Sequence, residues 1–275
     1  MIRRTTTILV AAVILGALPV LAEVKVRVVH GSPDAPPIDV QAGNNQAFSS
    51  VTFKKVTDYV TLAPGDVTFE VYPARETRQL VTKPFISATA TLSENTQYTL
   101  VALNKFAKIE PLLLIDDIKP EAGKARIRLV HASEDTPAVD VGIKDGSIVF
   151  KDIPFKKATE YVSVEPGTYT FEVRPTGSKN VLLNVPDLKL EAGGVYSVHA
   201  LGLMIQPGTR APEITAILST DARPGEVQPD APPAATVPAP DIQTPGGTTP
   251  APATEPPTGI TPAPETKPAN PPPTP

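Results

Sequence analysis

The chain repeats its own sequence, and this duplication constrains the fold more than any other feature. Arg27 to Val40 aligns without gaps on Arg128 to Val141, at an offset of 101 residues, and eight of the 14 positions are identical. Residues 53–73 align on 155–175 at an offset of 102, with 13 of 21 positions identical. Because solenoid repeats are shorter, roughly 20–50 residues, this period predicts two copies of one complete domain.

The boundaries of the two copies follow from where the matches begin and end. A third, weaker match aligns Tyr98 to Leu103 on Tyr196 to Leu201. We therefore predict one domain at residues 23–118, a short linker at 119–124 and a second domain at 125–221.

Inside each copy, apolar and polar residues alternate with a period of two. Val67, Phe69 and Val71 alternate with polar residues directly after the Pro64-Gly65 turn, and the second copy repeats this pattern. Such alternation predicts strands with one buried face. We expect an all-β protein made of two tandem Ig-like antiparallel β-sandwiches, with roughly seven to nine strands each. An up-and-down barrel is the alternative, and a βαβ fold is disfavoured because no helical segment separates the strands.

Three motifs of the first copy recur, with substitutions, in the second. They are the sequence His-Gly-Ser-Pro-Asp-Ala-Pro-Pro-Ile-Asp-Val from His30, the Tyr59-Val60 pair with its following Pro64-Gly65 turn, and Tyr-Thr-Leu-Val from Tyr98. Together they resemble domain of unknown function 4397, a bacterial and archaeal family, over nearly all of residues 24–219. The resemblance implies a secreted, surface or periplasmic protein, and it implies no catalytic residues.

The N-terminus predicts export. Residues 1–22 have the form of a secretory signal peptide, with Arg3 and Arg4 before the apolar run Ile8 to Leu18 and a cleavage site before Glu23. A retained membrane anchor is the alternative. It is disfavoured because a span needs about 20 apolar residues.

The C-terminal segment differs in composition from the repeats. Residues 222–275 contain 18 prolines, nine threonines and no aromatic residue. Such a segment cannot bury enough apolar surface to offset its chain entropy, so we predict a disordered, extended Pro/Thr-rich tail. The signal peptide predicts an extracytoplasmic protein, and because the sequence has no second long apolar run, we expect no integral membrane span in the mature chain.

Composition excludes several classes of protein. The chain has no Cys, which excludes a disulfide framework, a Cys-ligated zinc site, an iron–sulfur cluster and a thiol nucleophile. Its formal net charge is −4, whereas a general nucleic-acid binder needs a basic surface, so we expect no nucleic-acid partner. No phosphate loop and no Gly-x-Ser-x-Gly elbow is present, and we expect neither a cofactor nor enzymatic activity.

The repeated polar motif supplies the candidate site residues. His30 and His131 fall in phase with the apolar residues of their strands, which predicts buried imidazoles that hydrogen-bond the Ser-x-Asp loop after them. We interpret the motif as a device that holds this loop in place. Its residues are His30, Ser32 and Asp34 in the first copy and His131, Ser133 and Asp135 in the second.

The two motif loops are not identical. The second copy has Glu134 where the first has Pro33, and Thr136 where the first has Ala35. Because proline restricts the backbone, we expect the second loop to be the less rigid one.

A metal site is the alternative interpretation of the same motif. Asp39 and Asp140 are out of phase with their apolar neighbours and are expected to face away from the apolar side. Ca²⁺ prefers about six to eight oxygen ligands, and two carboxylates per copy fall short of that, so we expect no bound metal. The candidate ligands would be His30, Asp34, Asp39, His131, Asp135 and Asp140.

Two functions remain open from the sequence. The first is an exported, non-enzymatic cell-envelope protein, a binding or structural module of adhesion or scaffold type with a Pro-rich spacer. Its partner would be a cell-wall polymer, a polysaccharide or an envelope protein, and the repeated lysine pairs Lys54-Lys55 and Lys156-Lys157 could contact an anionic wall polymer. The second is a small-ligand or metal-binding protein that uses the His-x-Ser-x-Asp loops.

Overall fold

The computed structural model describes residues 23–74, 83–204 and 213–226. These residues form sixteen strands in four sheets of four, and the described part contains no α-helix, only a 3-10 turn at Phe106–Lys108. The predicted all-β class is confirmed.

The first repeat comprises β1 (Val24–His30), β2 (Ile38–Ala42), β3 (Asn45–Val51), β4 (Val60–Leu62), β5 (Gly65–Pro73), β6 (Ile86–Leu92), β7 (Gln97–Leu103) and β8 (Glu110–Ile115). The second comprises β9 (Ala125–His131), β10 (Val139–Ile143), β11 (Ile148–Ile153), β12 (Val162–Val164), β13 (Gly167–Pro175), β14 (Leu183–Leu190), β15 (Val195–Leu201) and β16 (Thr215–Ala222).

Each repeat is a sandwich of two sheets with the same topology. In the first repeat the strand orders are β4-β1-β7-β8 and β3-β2-β5-β6, and in the second they are β12-β9-β15-β16 and β11-β10-β13-β14. Neighbouring strands are antiparallel except for β1 with β7 and β9 with β15, which are parallel. The two tandem sandwiches are therefore as predicted, with one parallel pair in each that alternation along the sequence does not reveal.

The core of each sandwich lies between its two sheets. In the first repeat Val24, Val26 and Val28 of β1 pack with Ile38 and Val71 of the facing sheet, and the second repeat has an equivalent cluster. Inward residues thus recur at every second position, because successive side chains of a strand point to opposite faces.

The prediction of one buried face is wrong for the central strands of one sheet in each repeat. All seven residues of β7 and of β15 are buried, and β1 and β9 are buried at every position but one, at Lys25 and Arg126. The reason is that these sheets pack on each other across the repeats. Their outer faces share an apolar cluster of Val29, Val101, Leu103, Leu114, Val130, Ala132 and Leu201.

The described structure includes the connection between the repeats and a few residues after the second one. Both repeats belong to one compact unit, and Ile118 in the connection between them is fully buried with Val195 and Ala222. Ala222 is the last residue of β16, so the fold continues through it, one residue into the predicted tail. The predicted signal peptide at 1–22 and tail residues 227–275 lie outside the described residues. Across the described ranges, no helix has the length and apolarity to cross a membrane.

Candidate functional site: the motif loops and the interface between the repeats

The two motif histidines end the first strand of each repeat. His30 and His131 are fully buried, and their Nε2 atoms lie 3.0 Å and 3.1 Å from the carbonyl oxygens of Pro36 and Pro137. Burial lowers the pKa of both imidazoles, and their hydrogen bonds to the loop only partly oppose it. Each ring is therefore neutral and donates its Nε2–H to the far end of the loop. The loop partner that both histidines share is a proline carbonyl, and in the second repeat the His131 Nδ1 atom also accepts the Ser133 N–H at 3.4 Å.

The loop aspartates join neighbouring loops of the same repeat. The Asp34 Oδ1 atom accepts the Phe106 N–H at 2.7 Å, and the Asp135 Oδ1 atom accepts the Met204 N–H at 2.8 Å. In each repeat the loop after the first strand is thereby attached to the loop after the seventh. This use of a carboxylate as an acceptor for backbone N–H groups is typical of turn-forming aspartates.

Asp39 and Asp140 hold the neighbouring strands. Both are largely buried, and their Oδ1 atoms accept the N–H groups of Ser50 and Asp152 at 2.8 Å. Ser50 and Asp152 have φ angles of 49° and 54°, where the register of the strand pair shifts. Each carboxylate thus stabilises a left-handed bulge residue on the next strand.

These residues do not converge on an ion. Within residues 23–74, 83–204 and 213–226, no three His, Asp or Glu side chains are grouped closely enough to hold a metal. The four candidate carboxylates, Asp34, Asp39, Asp135 and Asp140, instead accept backbone N–H groups.

The two motif loops differ in how completely their buried polar atoms are paired. In the second repeat the Ser133 hydroxyl lies 2.6 Å from the Thr136 hydroxyl and donates to the Gly202 carbonyl at 2.7 Å. In the first repeat Ala35 stands at the position of Thr136, and the buried Ser32 hydroxyl has no hydrogen-bond partner in the described part of the chain. The second loop therefore has side-chain hydrogen bonds at Ser133 that the first loop lacks at Ser32, and the expectation that the second loop is the less rigid one stays a prediction.

This difference predicts that Ala35→Thr stabilises the protein. The new hydroxyl would give the buried Ser32 Oγ atom a partner, and a satisfied hydrogen bond contributes about 0.5–1.5 kcal/mol to the free energy of unfolding. The measurement is urea unfolding followed by circular dichroism. The matched variant is Thr136→Ala, which should destabilise by a similar amount because it leaves Ser133 with one partner fewer. A loss of stability in Ala35→Thr would contradict the assignment.

The interface between the repeats contains a buried ionic network that crosses from one repeat to the other. Arg27 of β1 donates to Asp221 at the end of β16, and Arg128 of β9 donates to Asp116, directly after β8. All four side chains are almost completely buried. Each arginine therefore donates to the aspartate of the other repeat, in a pseudo-twofold arrangement. Arg27 also lies 3.9 Å from the Asp116 carboxylate of its own repeat.

Hydroxyl groups complete the network. The Tyr59 hydroxyl donates to the Asp116 Oδ2 atom and the Tyr161 hydroxyl to the Asp221 Oδ2 atom, both at 2.6 Å. Thr99 donates to Asp116 at 2.7 Å, and Ser197 donates to Asp221. The guanidinium carbons of Arg27 and Arg128 also lie 4.7 Å from the ring centroids of Tyr59 and Tyr161, respectively, which is within cation–π range.

The surrounding charges favour the ionised forms of Asp116 and of the two arginines, as the directions of their pKa shifts indicate. Burial alone would raise the pKa of Asp116, but Arg128 and Arg27 outweigh it and hold that pKa below its ordinary value. Burial would lower the pKa of Arg27, and the charges of Asp221 and Asp116 raise it instead. Burial, reinforced by the nearby carboxylates, raises the pKa of both tyrosines, so their hydroxyls stay protonated and donate. The arrangement balances two positive charges with two negative ones.

The comparison with known families agrees with this duplicated geometry. The sequence profile of domain of unknown function 4397 matches residues 24–142 and 143–228. The chain belongs to this family. No curated protein matches the chain.

The four charged residues of the interface were missed by reasoning from the sequence. In each repeat of this chain the arginine stands between two apolar neighbours, at a position that alternation assigns to solvent. One signal was available: Arg27 and Tyr59 recur as Arg128 and Tyr161 inside the two best-matching blocks. A charged residue repeated at an outward position of both copies is consistent with a face that the two copies share.

Proposed function

We propose that this is an exported, non-enzymatic protein of the cell envelope that acts as a rigid binding or scaffold module. The observation that carries the proposal is the buried ionic network, which joins the repeats into one body. A binding module benefits from such rigidity, because the conformational entropy is then lost during folding and does not reduce the affinity for a partner.

The chemistry of the motif loops supports a structural role for the repeated polar residues. A catalytic carboxylate or imidazole must be aimed at a substrate within hydrogen-bond reach. Here the histidine Nε2 atoms and the motif carboxylates are engaged with the backbone of their own repeat. A partner would therefore contact the outer surface of these loops and not these buried or paired groups.

The export and spacer parts of the proposal rest on composition. The predicted signal peptide at 1–22 would direct the chain across the membrane. A Pro/Thr-rich segment after residue 226 would keep the folded repeats at a distance from the point of attachment, since Pro-rich chains are extended and semi-rigid. The partner would be a cell-wall polymer, a polysaccharide or another envelope protein.

The experiment is fractionation of cells that express the full chain or a chain lacking residues 227–275. We expect the full chain in the extracytoplasmic fraction, associated with the envelope, and the shortened chain released from it. Deletion of residues 2–22 is the control and should leave the protein in the cytoplasm. Cytoplasmic residence of the full chain, or the same envelope association with and without the tail, would refute the corresponding part of the proposal.

A further inference from the structure

Each repeat presents a Phe-Lys-Lys turn in a strained conformation. Lys54 and Lys156 have φ angles of 70° and 67°, a left-handed region that favours glycine and, among other residues, short polar ones. The other described non-glycine residues with positive φ are all Ser, Asn or Asp: Ser50, Asn95, Asn104, Asp145, Asp152 and Asp187. Lysine is the exception, and both repeats have it at the same place.

The strain is held by backbone hydrogen bonds to the motif histidine. In the first repeat the Lys54 N–H donates to the His30 carbonyl at 2.9 Å, and the His30 N–H donates to the Lys55 carbonyl at 3.1 Å. The second repeat has the same pair of bonds, at 2.8 Å and 2.9 Å. Backbone strain that a surrounding structure maintains is found most often at functional sites.

The phenylalanine of each turn positions the ammonium group of the lysine that directly follows it. Phe53 packs edge-on against His30, and Phe155 against His131. The Nζ atoms of Lys54 and Lys156 each lie 5.5 Å from the centroid of the adjacent phenylalanine ring. The histidine that anchors the motif loop therefore also supports the ring over which a lysine is held.

Both turns lie at the same end of the joined repeats. Asp34 in the first motif loop binds the N–H of Phe106, and the preceding Lys105 N–H donates to Glu134 of the second motif loop at 3.2 Å. Lys156 of the second turn forms an ion pair with Glu110 of the first repeat at 2.6 Å. This chain of contacts connects one Phe-Lys-Lys turn to the other through the two motif loops. We name this surface the motif end.

The lysines of the motif end are more available than its carboxylates. Lys54, Lys55, Lys108 and Lys157 are exposed and form no ion pair with the described residues. The carboxylates beside them, Asp34, Glu134 and Asp135, accept backbone N–H groups, and Glu110 pairs with Lys156. These carboxylates therefore each have a partner within the protein, whereas the four ammonium groups have no ion-pair partner among the described residues.

We propose that the motif end binds a linear polyanion, whose closely spaced phosphate or carboxylate groups contact the two Phe-Lys-Lys turns together. This inference rests on the proposed binding function and names the class of its partner. Two turns fixed in one rigid body would engage one long polymer at once, which raises affinity above that of either turn alone. Lysines act here as point charges, so the recognised feature is charge spacing and not a particular acid group.

The test is binding of fluorescently labelled polyphosphate to the full chain without residues 1–22, with poly-L-glutamate as a second probe. The variant is Lys55→Gln with Lys157→Gln, because both side chains are exposed while the Lys55 and Lys157 carbonyls that accept histidine N–H groups are unchanged. A lysine at an anionic surface contributes roughly fivefold in affinity, so we expect a loss of roughly 25-fold. Affinity should also fall steeply with added salt.

The matched control is Lys119→Gln with Lys144→Gln, which removes the same charge. Both lysines are exposed, and they lie away from the motif end, before β9 and after β10. We expect the control to bind polyphosphate as the unmodified chain does. The proposal is overturned by an equal loss in both double variants, by no binding of the unmodified chain to either polymer, or by preferential binding to vesicles of anionic lipid. A chain that associates with the envelope but fails these tests refutes this inference and leaves the proposed envelope function intact.

Discussion

Asp116→Asn should destabilise the whole protein, although the substitution changes only one non-hydrogen atom. The Asp116 carboxylate is fully buried, pairs with Arg128 and accepts the hydroxyls of Tyr59 and Thr99. An asparagine there leaves the network with two buried guanidinium groups and a single carboxylate. Breaking a buried ion pair by removing one partner lowers the free energy of unfolding by about 3–5 kcal/mol. Equilibrium unfolding in urea, followed by circular dichroism, measures this loss.

The adjacent residue provides the matched control. Asp117 pairs with Arg126 at 2.9 Å, but its side chain is 51% exposed. Exposed ion pairs contribute about 0–1 kcal/mol, so Asp117→Asn should leave the urea midpoint nearly unchanged. If Asp116→Asn lowered the midpoint no more than Asp117→Asn, the network would not be what joins the repeats. Asp221→Asn should reproduce the loss from the other side of the pseudo-twofold arrangement.

The network also predicts how the repeats unfold. Separating them would expose the Arg27–Asp221 and Arg128–Asp116 pairs together with the apolar cluster around Val29 and Leu201. When one repeat unfolds, the arginine of the other loses the carboxylate to which it donates. Arg27 then keeps Thr99 and an Asp116 carboxylate 3.9 Å away, and Arg128 keeps Ser197. The two repeats should therefore unfold in a single transition, and Asp116→Asn should weaken both.

The part of the fold that sequence predicts is the part set by local alternation and by duplication. Val24, Val26 and Val28 of β1 are inward residues at every second position, and the repeated blocks place the same strands in both copies. Alternation cannot say what covers the opposite face of a strand. The alternation of Arg27 with two inward valines is the same whether the outer face of β1 is exposed to solvent or covered by another part of the protein. Its partner Asp221 is 194 residues away in the chain.

In the candidate site, too, alternation predicts the face on which a residue lies but not the group that it contacts. The phase of β1 places His30 on the apolar side, but its acceptor, the Pro36 carbonyl, depends on the path of a loop that no periodicity describes. Asp39 is out of phase with the apolar residues, and it is nevertheless buried because the next strand bulges and brings the Ser50 N–H to its carboxylate. Backbone irregularities of this kind are set by tertiary contacts.

The fully buried His199 should make the protein sensitive to acid. It lies in β15, at the position that Val101 occupies in the first repeat, and its Nε2 atom is 3.2 Å from the Ser219 hydroxyl. Burial, followed by the charges of Arg27 and Arg128, lowers its pKa to about 3, and Asp116 only partly opposes them. Ser219 in turn donates to Asp221 at 3.1 Å, so His199 borders the interface network.

The sign of the effect follows from proton binding. In the unfolded chain a histidine has its ordinary pKa of about 6.5, so between pH 6.5 and 3 the unfolded state binds one proton that the folded state excludes. The stabilising effect of His199 is thus complete above pH 6.5 and is lost as the pH falls. For this single group the free energy of unfolding should decrease by about 1.4 kcal/mol for each pH unit in that window.

His199→Val isolates this contribution, because valine is the residue that the first repeat has at the same position. His30 and His131, whose pKa values burial also lowers, remain in both proteins and their effects cancel in the comparison. Relative to pH 7, the variant should gain about 2–3 kcal/mol over the unmodified chain by pH 4.5, as measured by urea unfolding at both pH values. Lys144→Gln is the control and should follow the unmodified chain. Parallel pH curves for His199→Val and the unmodified chain would mean that His199 is already protonated, or reached by solvent, in the folded protein.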